Sequence, residues 1–210
     1  MDVLRKEQII CDDCETQLPF THFGAMQVNP VEKIFWGRFN IAHATAILFF
    51  TKESIVQQII IELKYRQNKK AGYLLGRLIA HELMNNNKYC HIDYLIPIPI
   101  SKRKMKKRGF NQSMIICEAI VESGFQVPIF IGLQKNKESV TQTQKDRLQR
   151  AQENNALFSL TQVLTLHSKH LLIIDDVITT GATLESACHI LLQAQPASIC
   201  VATAAYTYHS

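Results

Sequence analysis

The sequence has no long apolar run. The best candidate for a membrane span, residues 39–51, is short and is interrupted by Asn40 and His43, whereas a transmembrane helix needs roughly 20 apolar residues. The first residues mix acidic and basic side chains and lack the apolar core of a secretory signal. We therefore expect a cytoplasmic protein without a membrane-spanning segment.

The sequence also has too few cysteines, too widely spread, for a disulfide framework. The six cysteines are at positions 11, 14, 90, 117, 188 and 200. The last three fall inside apolar periodic segments, where cysteine behaves as a small core residue. Internal repeats and Pro/Gly-rich linkers are absent as well. With 210 residues, the chain is long enough for one α/β domain and a small appendage.

Basic residues are concentrated in one segment. The formal net charge is +5, and six of the seven residues in 102–108 are basic. Without those six, 17 basic and 18 acidic residues remain. The charge therefore marks one local feature and does not indicate a nucleic-acid-binding surface over the whole protein.

Hydrophobic periodicity predicts alternating strands and helices. Strands are predicted at residues 44–50, 92–100, 128–133, 170–174 and 198–205. Helices are predicted at residues 53–65, 71–84, 112–123 and 184–194, with a partly helical stretch at 146–154. This alternation favours an α/β fold with a mainly parallel sheet flanked by helices. Residues 1–35 are expected to form an irregular appendage, and residues 36–210 the main domain.

The segment 171–183 is the most informative in the chain. An apolar run is followed by Asp175 and Asp176, and then by a turn of small residues. The turn consists of Thr179, Thr180, Gly181, Ala182 and Thr183. A turn of hydroxyl residues and glycine before a helix offers backbone N–H groups and hydroxyls to a phosphate. The two carboxylates suit a ligand with hydroxyl groups or a metal ion. The alternative is an ordinary strand–turn–helix with solvated acids.

The segment resembles the phosphoribosyl pyrophosphate (PRPP) motif of type I phosphoribosyltransferases. The resemblance implies that Asp175 and Asp176 hold the ribose 2′- and 3′-hydroxyls, directly or near Mg²⁺. It also implies that the loop from Thr179 to Thr183 cradles the 5′-phosphate. Enzymes of this type displace pyrophosphate from PRPP with a nitrogen nucleophile, mostly through positioning and charge stabilisation.

Two further segments are candidates for binding the pyrophosphate and covering the site. The first is a basic loop after the second predicted strand, with Lys102, Arg103, Arg108, Gly109, Asn111 and Gln112 as its candidate residues. Arginine suits bidentate phosphate binding, and Arg108 is a candidate catalytic residue with the two aspartates. The second is the polar stretch with Thr141 and Gln144, a candidate lid. The alternatives are a solvated basic loop or weak nucleic-acid patch, and an exposed surface connection.

The order of these motifs is similar to that of the ComF family. Members are phosphoribosyltransferase-like proteins linked to DNA uptake in natural transformation. The motifs include Leu63-Lys64-Tyr65, Pro97-x-Pro99, Arg108-Gly-Phe-Asn-Gln112, Thr141-Gln-Thr-Gln144 and the PRPP motif. The resemblance implies a type I phosphoribosyltransferase fold and a Mg²⁺-dependent, PRPP-using enzyme. It leaves open a non-catalytic protein that senses PRPP or a nucleotide, or binds the DNA-uptake helicase or single-stranded DNA.

Two positions limit what the resemblance implies. Hypoxanthine-type enzymes carry an aspartate where Thr179 stands, so hypoxanthine/guanine salvage is disfavoured, and the acceptor stays unidentified. ComF proteins open with two Cys-x-x-Cys pairs that bind zinc, but here only Cys11 and Cys14 are present. Structural zinc needs four ligands, so the sequence disfavours zinc in this chain. Either the start codon is misassigned or the finger has decayed. A redox Cys-x-x-Cys is weaker still.

Overall fold

The central strand of the fold is the apolar run that ends in the two aspartates. The computed structural model describes residues 9–136 and 157–207. Its main sheet consists of four strands, β1 (His43–Phe50), β2 (Tyr94–Pro97), β5 (His170–Ile178) and β6 (Ser198–Thr207). Their order across the sheet is β1-β6-β5-β2. All three pairings are parallel, which confirms the predicted sheet type.

Both faces of the sheet are buried, because β5 is apolar on both sides. Leu172 and Ile174 belong to one hydrophobic cluster and Leu171 and Ile173 to the other. A strand with two buried faces reads as a continuous apolar run, since successive side chains point to opposite sides. Helices must therefore cover the sheet on both sides.

Seven α-helices surround the sheet or precede it in the described residues. They are α1 (Asp12–Thr16), α2 (Pro30–Ile34), α3 (Ile55–Tyr65), α4 (Lys69–Met84), α5 (Lys102–Arg108), α6 (Gln112–Glu122) and α7 (Ala182–Leu191). Helices α3, α4 and α6 pack against one face, and α2 and α7 against the other. None of the helices in residues 9–136 and 157–207 has the length and apolar character of a membrane span.

A small second sheet lies outside the main one. Strands β3 (Leu133–Lys135) and β4 (Phe158–Leu160) pair antiparallel. Where a strand was predicted at 128–133, the structure has a single β-bridge between Ile129 and Leu95. This bridge comes before β3 in the chain. The predicted helical stretch at 146–154 lies outside the described residues.

Two predictions about local structure were wrong. The strand predicted to end at residue 174 continues through both aspartates to Ile178, because its register with β6 continues to Tyr206. The basic segment is a helix, not a loop. Ser101 caps its first turn through a hydrogen bond from the Lys104 backbone N–H, and Gly109 ends it in the left-handed conformation. Lysine and arginine are good helix formers, so the two ends determine the structure.

The amino-terminal segment is more regular than expected. In place of an irregular appendage it contains α1, α2 and a short 3₁₀ helix at Phe23–Ala25. Asn29 and Glu32 form a reciprocal capping box at the start of α2. Val31 and Phe35 are fully buried in the cluster that also contains α7. The boundary between residues 35 and 36 stays a prediction.

The three cysteines predicted to lie in the core do so. Cys117, Cys188 and Cys200 are buried. Burial raises the pKa of the Cys200 thiol to about 11 and also raises that of Cys117 well above its ordinary value. All six cysteines are free thiols in the structure.

Replacing Gly76 with alanine should destabilise the protein, although alanine in a helix is normally about 1 kcal/mol more favourable than glycine. A Cβ atom on Gly76 would lie 2.5 Å from the Ala119 Cβ and 2.6 Å from the Ile116 carbonyl oxygen. Overpacking of this kind costs about 1–3 kcal/mol. Urea denaturation should show a lower midpoint for Gly76→Ala.

Gly72→Ala is the matched control on the same helix. Its added Cβ would meet the movable Ile115 side chain at 2.6 Å and no backbone atom at such a distance. It should therefore cost less than Gly76→Ala. Equal or higher stability for Gly76→Ala than for the natural chain would show that α4 and α6 can separate freely.

Candidate functional site

The site lies where the helices after two neighbouring strands turn to opposite faces of the sheet. Strand β2 leads through α5 to α6 on one face, while the adjacent β5 leads to α7 on the other. In open α/β sheets, ligands bind in the crevice beyond the carboxyl ends of strands at such a switch point. The predicted acid pair, phosphate loop and basic segment all belong to this edge.

Asp175 is held across the crevice by α6. Its Oδ1 atom accepts hydrogen bonds from the Ser113 hydroxyl at 3.0 Å and from the Asp176 backbone N–H at 2.9 Å. Ser113 lies in the first turn of α6, where the Asn111 side chain accepts a hydrogen bond from its backbone N–H. The cap of α6 thus fixes the hydroxyl that orients Asp175.

Asp176 is held from another direction by α3. The Lys64 Nζ atom lies 2.6 Å from the Asp176 Oδ1 atom, and only 20% and 10% of the two side chains are exposed. Lys64 is in the last turn of α3, next to the fully buried Leu63. Because both charges are largely removed from water, each depends on the other for compensation.

The electrostatic environment favours protonation of Asp175. Burial of the carboxyl group and repulsion from Asp176 raise its pKa from 3.8 to about 7, against the opposing effects of its hydrogen bonds and of Lys64. Two adjacent carboxylates at a low-dielectric site resist simultaneous ionisation. Asp175 therefore changes charge close to neutral pH.

The loop from Thr179 to Thr183 joins β5 to α7 in a conformation that favours glycine. Gly181 precedes the first helical residue and has φ of +75°, in the left-handed region. A Cβ atom there would lie 2.7 Å from the Ile34 Cγ2 atom and 3.1 Å from the Phe35 ring. The three threonines of the loop are exposed, while Gly181 packs on α2. This leaves hydroxyls and the N-terminus of a ten-residue helix facing solvent, an arrangement suited to an anion.

Arg38 also contacts this loop, which the sequence did not indicate. Its Nη1 atom donates to the Thr180 carbonyl oxygen at 2.9 Å and lies 3.3 Å from a Glu185 carboxylate oxygen. Arg38 follows α2, so the amino-terminal segment and α7 both hold the loop. Ser113 and Lys64 were likewise not predicted as site residues, although Lys64 stands in the Leu63-Lys64-Tyr65 motif.

The α5–α6 junction carries the predicted pyrophosphate residues. Arg108 donates to the Gln112 side-chain oxygen at 2.8 Å, and its guanidinium lies 5.6 Å from the centre of the exposed Tyr65 ring. No side chain of α5 is buried, and none of its six cations is ion-paired with a carboxylate in the described residues. Lys102 and Arg103 lie in the exposed first turn of α5.

Two predicted site residues have clear structural roles at this junction. Gly109 ends α5 with φ of +78°. The Asn111 side chain caps α6 and donates to the Ile98 carbonyl oxygen at 3.0 Å. Their roles toward pyrophosphate stay predictions. Thr141 and Gln144, the predicted lid residues, lie outside the described residues.

The side chains in the described part of the chain do not make a metal site by themselves. In residues 9–136 and 157–207, no three His, Cys, Asp or Glu side chains lie together as metal ligands would. Asp175 and Asp176 offer the oxygen ligands that Mg²⁺ prefers, but the Asp176 carboxylate is already ion-paired with Lys64. Cys11 and Cys14 interact with each other, and a side-chain hydrogen bond that the Cys14 thiol donates to Cys11 raises the pKa of Cys14. Neither pair reaches the ligand number of a closed protein site.

A much larger cavity lies between α4 and α6, away from these residues. Its volume is about 1020 Å³, and Tyr73, Arg77 and Glu122 are among its lining residues. It has an Arg77–Glu15 ion pair at 2.8 Å but no phosphate loop or adjacent acids. By contrast, the cavity beside Thr179–Thr183 has a volume of only about 50 Å³. We assign the site by its chemistry and not by cavity size.

Comparison with known proteins shows which family this chain resembles. Residues 107–210, about half of the chain, match the phosphoribosyl transferase domain. Over 149 residues, the chain is 26% identical to the DNA utilization protein YhgH of Shigella flexneri. Over 99 residues, it is 31% identical to the competence protein ComFC of Bacillus subtilis (strain 168). The chain belongs to the ComF-like phosphoribosyltransferase-domain proteins.

The extent of these matches is limited. The match to YhgH covers 67% of this ComF-like chain and 63% of the relative, so the chain spans less than two thirds of that protein's length. The match to ComFC covers 47% of this chain and 38% of the relative. Among solved structures, the B. subtilis glutamine PRPP amidotransferase complexed with ADP and GMP is similar, with a TM-score of 0.49 and 18% identity. That match covers 68% of this chain and 30% of the amidotransferase.

The pKa of Asp175 predicts how Asp175→Asn changes stability with pH. The folded state keeps its proton up to about pH 7 and the unfolded chain only to about 3.8, so the natural protein loses stability as pH rises between these values. Asparagine can accept the same two hydrogen bonds and does not ionise. From pH 5 to pH 8, the natural chain should lose on the order of 2 kcal/mol relative to the variant.

Denaturant unfolding of both proteins at the two pH values measures this difference. Groups that titrate equally in both proteins cancel, so the change in the difference reports Asp175 alone. A difference that does not change with pH would mean that Asp175 is already ionised at pH 5.

Proposed function

We propose that this ComF-like chain binds PRPP in the crevice beyond β2 and β5 and acts as a phosphoribosyltransferase with an unidentified acceptor. The observation that carries the proposal is the placement of two held carboxylates directly before a hydroxyl-rich loop at a helix N-terminus. The acid pair suits adjacent sugar hydroxyls, and the loop suits a phosphate. A sugar phosphate offers both kinds of group in one molecule.

Each part of the ligand has a matching part of the site. The 5′-phosphate would contact the hydroxyls and N–H groups of Thr179–Thr183, while Asp175 and Asp176 would accept hydrogen bonds from the ribose hydroxyls. The pyrophosphate would face the cations of α5, with Arg108 contributing a planar donor group. Strands β2 and β5 are parallel neighbours, so the segments that follow them leave the sheet at the same edge.

The chemistry that these residues support is positioning and charge stabilisation. Departure of pyrophosphate builds negative charge, which the exposed cations of α5 would stabilise. The acid pair would orient the ribose and place negative charge near a developing oxocarbenium ion. Threonine at position 179 is no base at neutral pH, so the nucleophile must lose its proton elsewhere. Magnesium, the acceptor and a cytoplasmic location stay predictions.

Replacing Thr179 and Thr183 with alanine should weaken PRPP binding without unfolding the protein. Both side chains are exposed, so their removal leaves no cavity, whereas each lost hydroxyl removes a hydrogen bond to a charged phosphate, worth about 1.5–3 kcal/mol. Calorimetric titration with PRPP and Mg²⁺ should show micromolar binding to the natural chain. The double variant should bind at least tenfold more weakly.

Thr165→Ala is the matched control, since Thr165 is also an exposed threonine but belongs to the 3₁₀ helix Val163–Leu166, not to the loop. It should bind PRPP as the natural chain does. If the folded natural protein does not bind PRPP, or if the loop variant binds equally well, the proposed site is wrong.

A second candidate function is non-catalytic binding of single-stranded DNA. The exposed cations at positions 102–107 of α5, which form no ion pair in the described residues, support it, and two relatives are named for DNA utilization and competence. A cationic helix can neutralise phosphates of either ligand, so α5 alone does not discriminate between the two functions. A helicase partner stays a prediction.

The dependence of DNA binding on salt concentration tests this second function. Replacing Lys102, Lys104, Lys106 and Lys107 with glutamine should reduce the slope of log K against log[salt] by about 0.7 per lost phosphate contact. Fluorescence anisotropy with a labelled oligothymidine at several salt concentrations measures the slope. An unchanged slope would place DNA elsewhere on the protein.

A further inference from the structure

Lys64 occupies the position at Asp176 where a bound cation would be expected. Its ammonium lies 2.6 Å from the Asp176 Oδ1 atom, a close charge-assisted hydrogen bond. The exposed fractions of 20% and 10% show that little water screens the contact. With both carboxylates ionised, as expected at pH 8, above the pKa of about 7 of Asp175, the acid pair and this ammonium together carry one net negative charge.

In the described residues, Asp176 is the carboxylate that pairs with Lys64, because the neighbouring carboxylate pairs with another cation. Glu62, the nearest carboxylate on α3, instead pairs with Arg66 at 2.7 Å and accepts a hydrogen bond from the Asn68 side chain. Tyr65, the next residue along, lies against the Arg108 guanidinium. The end of α3 is therefore held by contacts on both sides of Lys64.

A divalent cation bound to Asp176 would be placed within a few ångströms of the ammonium. Repulsion between like charges at such a distance is strong where water is largely excluded. The cation would have to displace Lys64 from its contact with Asp176. That contact also compensates the cost of burying the lysine ammonium. The absence of a third acidic or histidine ligand in the described residues points the same way.

We propose that Lys64 takes the place of a divalent metal at the acid pair, so that the protein alone does not bind Mg²⁺ or Mn²⁺ there. Lys64 is then a positioning residue that holds Asp176 and neutralises one of the two acids. Any metal requirement of the site enters with the phosphates of its ligand. The inference concerns the same site as the proposed function, but it can be tested without PRPP.

Titration of the protein with Mn²⁺ alone at pH 8, followed by electron paramagnetic resonance of free Mn²⁺, tests the proposal. The natural chain should not bind Mn²⁺ below about millimolar concentration. Lys64→Gln removes the charge but keeps most of the side chain, and should bind Mn²⁺ at least about tenfold more tightly. Lys64→Arg restores the cation and should behave as the natural chain does.

Lys69→Gln is the charge-matched control. Lys69 lies at the start of α4 with its Nζ atom over the Phe110 ring, and this variant changes the net charge equally. Its Mn²⁺ affinity should stay at the level of the natural chain. If it gains as much as Lys64→Gln, the effect is one of overall charge and the proposal is wrong.

Two results would overturn the inference directly. One is micromolar Mn²⁺ binding to the natural chain that is lost in Asp176→Asn. The other is a folded Lys64→Gln variant whose Mn²⁺ affinity equals that of the natural chain. If Lys64→Gln does not fold, the titration of the natural chain and Asp176→Asn still decides. Failure of PRPP to bind would leave these results unaffected, so the two proposals fail separately.

Discussion

The structure depends on keeping two adjacent carboxylates at the buried end of a central strand. Charges in such a position are costly unless other groups compensate them. Here the compensation comes from both sides of the crevice, through Ser113 on α6 and Lys64 on α3. The positions of these two helices over the end of β5 are thus tied to the electrostatics of the site.

The central strand also explains why much of the fold could be predicted. Residues 171–174 form an apolar run that only a doubly covered strand accommodates, so helices on both faces followed from the sequence. The helices with one clear apolar face were predicted close to their observed bounds, α3 and α4 among them. The acid pair and the phosphate loop could be predicted because they are contiguous in the sequence. Their closeness in space follows from that contiguity and needs no contact between distant segments.

What could not be predicted depends on contacts between distant segments. Arg38 and Thr180 are 142 residues apart, and no local pattern indicates that they meet. Ser113 looks like an ordinary residue in the first turn of a helix, and Lys64 like one more charged side chain at a helix end. The helical state of 102–108 was missed for another reason, since a run of cations is compatible with loop or helix until its caps are considered.

The packing of Gly181 on Ile34 and Phe35 has a consequence for how this protein can change over evolution. The segment that matches the phosphoribosyl transferase domain begins at residue 107, yet the loop it contains is held from α2, and Asp176 from α3. The edge strand β1 also precedes that segment. The C-terminal half therefore depends on the N-terminal half for the conformation of its loop. Recombination at its border would separate the Thr179–Thr183 loop from the surfaces that shape it, so the two halves are expected to be inherited together.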